Sequence, residues 1–371
     1  MQERPLTVVQ LLPALEGGGV ERGTLEVARE LVRHGHRSWV ISGGGRLVSR
    51  LTGQGSRHLQ WPIGAKSPLT LRWARRLRAF LSEQRVDILH ARSRLPAWVA
   101  WRAWQGLPEA QRPHFVTTVH GLYSVNRYSA IMTRGERVIA VSETARRYIL
   151  DNYPKVPPER ILTIPRGVDP AIFPHGYRPP ESWTRAWYER FPFLLERYVL
   201  TLPGRLTRRK GHEDFIALMA RLVAAGLPVH GLIVGGEDPR RQRYARRLYA
   251  AVRERGLEPH ITFTGQRQDI RDIYAVSNLV LSLSTQPESF GRSVVEALYL
   301  GVPVVGYDHG GVGEVLSRLF PVGRVPVGDA QVLAQAVQAL YAQRPEIPPT
   351  HAYDLQGMLD ATLDLYRGLA G

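Results

Sequence analysis

The sequence predicts an α/β chain of two doubly wound, Rossmann-like domains facing across a cleft, and three observations predict it. Short β-rich runs alternate with helical patterns from end to end, as parallel sheets crossed by helices require. The 371 residues exceed what one hydrophobic core ordinarily organises. Residues 170–196 break the rhythm, with Pro170, Pro174, Pro179 and Pro180 beside Trp183, Trp187 and Tyr188, the composition of a linker with a short docked helix. The expected division is a domain over 1–170, a linker over 171–196, a second domain over 197–350, and a C-terminal helix over 351–371 packing back towards the first domain.

In the first domain, runs 6–12, 38–42, 86–91, 115–120, 137–141 and 161–165 read as strands. Helical periodicity covers 20–34, 69–82, a Trp-rich stretch and 142–152, where Ser142 is a natural N-cap and Glu143 complements the helix dipole. The second domain restarts the pattern with strands 198–203, 229–235, 261–264, 279–284 and 302–307. Its helices are expected over 211–225, 240–255, 270–276 and 290–300, then after Gly311 and Ala330, with a last one over 354–369. Ligands of such sheets gather at the carboxyl ends of strands, so chemistry belongs on the strand-to-helix loops.

Composition narrows the class. A content of 44% hydrophobic and 22% charged residues is that of a soluble globular protein, and no apolar run reaches the ~20 residues of a membrane span. The opening Met1-Gln2-Glu3-Arg4-Pro5 leads into a strand-like run and not a signal peptide, so a cytoplasmic location is expected. The absence of cysteine excludes disulfides and thiolate metal sites. Net charge is +16 and uneven: residues 1–170 hold 26 Lys/Arg against 13 Asp/Glu, the rest 23 against 20. A basic half suits an anionic lipid surface or an acidic substrate, and an Arg-rich composition gives the same balance with no function attached. No nucleic-acid motif accompanies it, so no nucleic-acid partner is expected. Trp61, Trp73, Trp98, Trp101 and Trp104 share the stretch with Arg72, Arg75, Arg76, Arg78, Arg92, Arg94 and Arg102. That mixture fits a peripheral membrane interface and equally a packed helix face.

The segment Pro287-Glu288-Ser289-Phe290-Gly291-Arg292-Ser293-Val294-Val295-Glu296-Ala297 carries most of the chemistry. A strand ends, a polar loop presents Glu288, and a helix is expected from about Phe290, so unpaired N–H groups form a phosphate site. Gly291 allows close backbone approach, and Glu296, about two turns on, can accept from paired hydroxyls. Taken alone, the segment also reads as a capped helix with two surface carboxylates. With Leu300-Gly301-Val302-Pro303-Val304-Val305-Gly306 and Gly310-Gly311-Val312-Gly313-Glu314 it resembles the retaining glycosyltransferase family 4, of GT-B fold. The resemblance implies two such domains, the first for the acceptor and the second for a nucleotide-sugar donor. Glu288 and Glu296 match the family's paired glutamates, which implies contact with donor-sugar hydroxyls for Glu288 and with the ribose for Glu296.

Pro203-Gly204-Arg205-Leu206-Thr207-Arg208-Arg209-Lys210-Gly211 is a second match, and implies that Arg205 and Lys210 neutralise the donor diphosphate. Gly235-Gly236-Glu237-Asp238 and Thr264-Gly265-Gln266-Arg267 end strands where the family places base and ribose. Gly265 and Arg267 are therefore candidates to present backbone to the base, although Arg267 also reads as a plain helix-flanking charge. In the first domain Glu16-Gly17-Gly18-Gly19-Val20-Glu21 has a phosphate-cradling shape, with Gly18 and Gly19 nearest phosphate or acceptor by resemblance. His120, at a strand end before Gly121, suits contact with substrate hydroxyls or proton handling, and also reads as a histidine merely satisfied by nearby backbone; the resemblance implies a place near the donor sugar. Arg166-Gly167-Val168-Asp169 departs from the family's Asn-Gly-Val-Asp turn at position 166, so no family role carries over to Arg166.

No Asp-x-Asp or His cluster has metal-ligand spacing, so neither a metal nor a cofactor is expected beyond the nucleotide sugar, which is a substrate. Gly306-Tyr307-Asp308-His309-Gly310-Gly311 and the basic first half are similar to bacterial lipopolysaccharide-core transferases, implying a glycan or glycolipid acceptor. A sugar-nucleotide epimerase of the same fold, or a non-catalytic binder of nucleotide sugars or polyanions, remains an alternative.

Overall fold

A computed structural model describes residues 4–237 and 242–371. Met1, Gln2, Glu3, Asp238 and Arg240, on which sequence expectations fall, lie outside the described residues. The chain divides into two compact units, residues 1–167 with 355–371 and residues 168–354.

The first unit runs β1 (Thr7–Leu11), α1 (Gly19–Arg33), β2 (Arg37–Ser42), α2 (Val48–Gly53), β3 (Arg57–Gln60), α3 (Trp73–Glu83), β4 (Ile88–Ala91), α4 (Arg94–Gln105), β5 (His114–Val119), β6 (Arg137–Ala140), α5 (Glu143–Asn152) and β7 (Ile161–Thr163). Its seven strands are parallel in the order β3-β2-β1-β4-β5-β6-β7. The second unit runs α6 (Glu181–Arg190), β8 (Tyr198–Pro203), α7 (His212–Ala224), β9 (Val229–Val234), α8 (Gln242–Glu254), β10 (Ile261–Gly265), α9 (Ile270–Ala275), β11 (Leu279–Ser282), α10 (Arg292–Tyr299), β12 (Val304–Tyr307), α11 (Gly310–Leu319), β13 (Arg324–Val325) and α12 (Ala330–Gln343). Its six strands, also parallel, take the order β10-β9-β8-β11-β12-β13. The central strands β1, β4, β8, β9 and β11 are buried along most of their length, which is why they read as apolar runs without alternation. The last helix, α13 (Leu355–Ala370), belongs to the first unit. It sets Leu355, Leu359 and Leu363 against Val8, Val27 and Ile88 of the core.

Several expectations need adjusting. The edge strand β3 (sequence RHLQ), helix α2 and the two-residue β13 carry too little apolar pattern to be read. The expected helix 69–82 is a 3₁₀ turn capped by Ser67, followed by α3. The expected helix 290–300 starts only at Arg292, because Gly291 leaves helical geometry as its N-cap. Within segment 171–196, where a linker with a short docked helix is expected, Trp187 of α6, Phe191 and Leu194 pack with Val199 and Leu232 of the second unit. Four of the five tryptophans of the basic stretch are packed against rings and guanidiniums too. Trp61 stacks on Trp73 and Trp101 on Trp104, with the Arg76, Arg134 and Arg112 guanidiniums over their rings.

Candidate active site

Each sheet reverses winding at one point, between β1 and β4 in the first unit and between β8 and β11 in the second. At such points the loops diverge and leave a crevice for ligands.

In the second unit the loops after β8, β11 and β12 converge. Gly211 ends the first of them in the left-handed region at φ 71°, and a Cβ there would lie 1.9 Å from the Leu283 carbonyl oxygen. Only glycine lets the two loops touch so closely. Thr285 N–H donates to the Arg209 carbonyl at 2.8 Å and locks the contact. Lys210 is thereby delivered to Glu288: its Nζ donates to Oε1 at 2.6 Å, with both side chains 27% exposed. Ser284 Oγ donates to the same oxygen. Burial alone would raise the Glu288 pKa, but the Lys210 ammonium and these two hydrogen bonds overcome it and lower it, so the carboxylate stays charged. From the third loop, His309 Nε2 donates to the Ser284 carbonyl at 2.6 Å, and Gly311 N–H to the Glu288 carbonyl at 2.7 Å. Gly310, at φ 57°, makes that approach possible, since a Cβ would lie 2.7 Å from the Glu288 carbonyl oxygen. The N-terminus of α11 therefore abuts the Glu288 loop. Arg205 is exposed on the loop after β8 and makes no ion pair with another described residue.

The other residues singled out from sequence fall around this cluster. Glu288 lies in the loop and not on the helix; Glu296 sits in the second turn of α10, 6% exposed, and accepts from Arg292 Nε at 3.0 Å. Gly291 caps α10, while the Phe290 ring is buried edge-on to Tyr353, so its side chain is packing. Gly265 ends β10 with open space where a Cβ would point. Arg267 donates both to Asp269, which also accepts from Trp183 Nε1 at 2.7 Å, and lies over the Trp187 ring. That guanidinium is tied into the scaffold, leaving backbone as what this loop presents. Ser284 and His309 escaped the sequence reading; a hydroxyl just after a strand and the His-Gly-Gly before a helix are the signals that mark them.

In the first unit Gly18 caps α1 with extended backbone and Gly19 begins it. The Gly19 carbonyl accepts from Arg166 Nη1, and Arg166 Nη2 donates to His120 Nδ1 at 2.8 Å. Arg92, 5% exposed, donates from Nη1 to Gln10 Oε1 at 2.6 Å. His90 is held at both ring nitrogens, by Tyr366 of α13 at 2.5 Å and Thr118 at 2.6 Å. Of these, His90, Arg92, Thr118, His120 and Arg166 line a cavity of about 20 Å³, room for one water. Burial, then Arg166, Arg92 and His90, hold the His120 pKa well below the usual histidine value, so its ring is neutral.

Two family models match the chain in succession, Glycosyltransferase Family 4 over residues 17–172 and Glycosyl transferases group 1 over residues 186–350. The chain belongs to glycosyltransferase family 4. A solved glycosyltransferase from Rickettsia africae is 28% identical, with 99% of each chain covered and a TM-score of 0.88. Anabaena HepE, solved in complex with UDP and glucose, is 19% identical over 98% of this chain and 100% of its own, TM-score 0.83. The N-acetyl-alpha-D-glucosaminyl L-malate synthase of Bacillus anthracis is 24% identical over 342 residues, 88% of this chain and 85% of that protein. Three other curated relatives are covered over only 33%, 40% and 54% of their length. The two sheets of this family 4 chain are the two Rossmann-like units of the GT-B fold. No described helix is long and apolar enough to cross a membrane.

Proposed function

We propose that the chain transfers a hexosyl group from a nucleoside diphosphate sugar, UDP-hexose first among them, to a hydroxyl of a glycan or glycolipid of the lipopolysaccharide-core kind, with retention at the anomeric carbon. The Lys210–Glu288 pair at the β8/β11 switch point carries the reading. A diphosphate entering there recruits the Lys210 ammonium and the exposed Arg205 guanidinium. The charged Glu288 carboxylate is then left to accept from donor-sugar hydroxyls. Cations and helix N-termini act where the transition state builds charge, on the departing phosphate oxygen. The bond from the anomeric carbon to that oxygen breaks, a bond to the acceptor oxygen forms on the same face, and the acceptor proton passes to the departing phosphate. The complex of HepE with UDP and glucose supports uridine as the base, and the basic first half supports an anionic acceptor at a membrane surface.

The test is incubation with labelled UDP-, GDP- and ADP-hexoses, with and without acceptor glycolipid, following diphosphate release and glycosyl product. Transfer from the UDP sugar with the anomeric configuration kept is expected. Isomerised donor without transfer, or binding without reaction, overturns the reading.

A further inference from the structure

Arg166 stands where the family resemblance gives no role, yet it is 8% exposed and reaches two parts of the first unit at once. One guanidinium nitrogen donates to the Gly19 carbonyl at the start of α1, the other to His120 Nδ1 at 2.8 Å. Room for it comes from Gly23 on α1, where a Cβ would lie 2.7 Å from Arg166 Nη1 and 3.4 Å from Arg92 Nη2. A guanidinium has five donors and no acceptor, so the ring nitrogen facing it must offer its lone pair. A neutral imidazole carries one proton, and here that leaves only Nε2 to bear it.

We infer that Arg166 is a positioning residue that fixes His120 as the Nε2–H tautomer, so that His120 serves transfer as a hydrogen-bond donor to a substrate oxygen and not as a base. The assignment rests on the reading of His120 as part of the transfer site. Among the groups acting on His120 are Arg166, Arg92, His90 and, through the His120 backbone, Tyr123; the first three all disfavour a second proton on the ring.

The first measurement needs neither turnover nor a variant. In the ¹⁵N NMR spectrum of the full chain, His120 Nε2 is expected to show its directly bonded proton and Nδ1 the shift of a bare, hydrogen-bonded nitrogen, unchanged from pH 8 to 5.5. A proton on Nδ1 overturns the inference. Because this readout stands apart from activity, it can fail while the transferase reading holds, and the reverse. The second measurement is transfer rate. In His120→Gln the amide N–H replaces the Nε2 donor, so its kcat is expected at least about tenfold above that of His120→Ala; equal loss in the two overturns donation. Arg166→Met is expected to lower kcat about tenfold with the donor KM unchanged, to move the His120 titration up towards 6.5, and to be partly rescued by Arg166→Lys. Gly23→Ala is expected to copy Arg166→Met, by displacing the guanidinium while every donor group remains.

Discussion

At the switch point of the second unit a lysine and a glutamate hold each other's charge in half-open loops, whereas at that of the first two arginines lie buried among neutral histidines, a glutamine and a carbonyl. The two points share topology: parallel strands, a reversal of winding, and a helix starting beside a glycine. They differ in what the sequence places after the strand. After β8 and β11 come flexible charged side chains that can exchange partners when a ligand arrives. After β1, β4 and β5 come groups already held by strand-end neighbours, with a cavity for no more than a water between them. The first arrangement suits a charged group that enters and leaves; the second suits fixed orientation of a neutral one.

The largest expected effect tests the exchangeable pair. Glu288→Gln keeps shape but loses the charge that receives Lys210, and transfer should fall by roughly one to three orders of magnitude with the fold intact. Lys210→Met should lose as much, and the double variant should lose far less than the sum, because contacting residues in one network are not additive. Steady-state kinetics on the four proteins decides it. Additive losses would mean that the two residues work independently and do not exchange partners. In the same assay an excess of chelator should leave activity in place if, as proposed, Arg205 and Lys210 compensate the diphosphate.

Acid separates the charges differently. His230 on β9 is 2% exposed; burial first, with His260 and Arg197 adding to it, pushes its pKa down to about 4. Its unfolded counterpart titrates near 6.5, so below that pH the unfolded chain takes up a proton that the folded one refuses. Stability is full above about pH 6.5 and is lost as pH falls towards 4, by on the order of 3 kcal/mol for this residue. Glu288 acts in a lower window: with its pKa lowered, its contribution is full above the usual carboxylate range and is lost as pH falls through that range and below it. Thermal melts from pH 7 to 4 should show the midpoint falling, and His230→Gln should flatten that slope. A midpoint unchanged over this window would remove the buried neutral histidines from the account.

The fold was legible because buried parallel strands write continuous apolar runs, and β8 was read residue for residue. What was lost had no such pattern: RHLQ at an edge, two residues of β13, and a helix start that Gly291 delays by two positions. The charged residues of the proposed donor site were legible as types in loops, but not their partnerships. Nothing in the spacing says that Arg267 is spent on Asp269, that His309 reaches Ser284 across loops 25 residues apart, or that Arg166 meets His120. Those depend on which strands lie side by side, and the order of strands is not written in any one segment.

The smallest expected effect concerns the basic surface of the first unit, where sequence alone left a membrane interface and a packed face equally open. Of the three cations on α3, Arg76 already lies 5.0 Å over Trp61 and 5.4 Å over Trp73. Arg78 crosses Gly106 so closely that a Cβ there would sit 2.0 Å from its Nη2. Arg75 is exposed with no aromatic ring beneath it among the described residues. The three should therefore separate. Arg76→Ser should lower stability by about 0.5–1 kcal/mol through lost stacking on the tryptophans. Arg75→Ser should leave stability within about 0.5 kcal/mol and weaken binding to anionic vesicles by about 1 kcal/mol, roughly fivefold, at low salt and less at high salt. Affinity for uridine diphosphate should stay unchanged in both, since the cations proposed for its site, Arg205 and Lys210, lie in the other unit. Vesicle co-sedimentation at two ionic strengths, beside a thermal melt, reads all of this. If Arg75→Ser binds vesicles as the wild type does at low salt, the charge of the first half is composition alone, and the difference between the units reduces to their switch points.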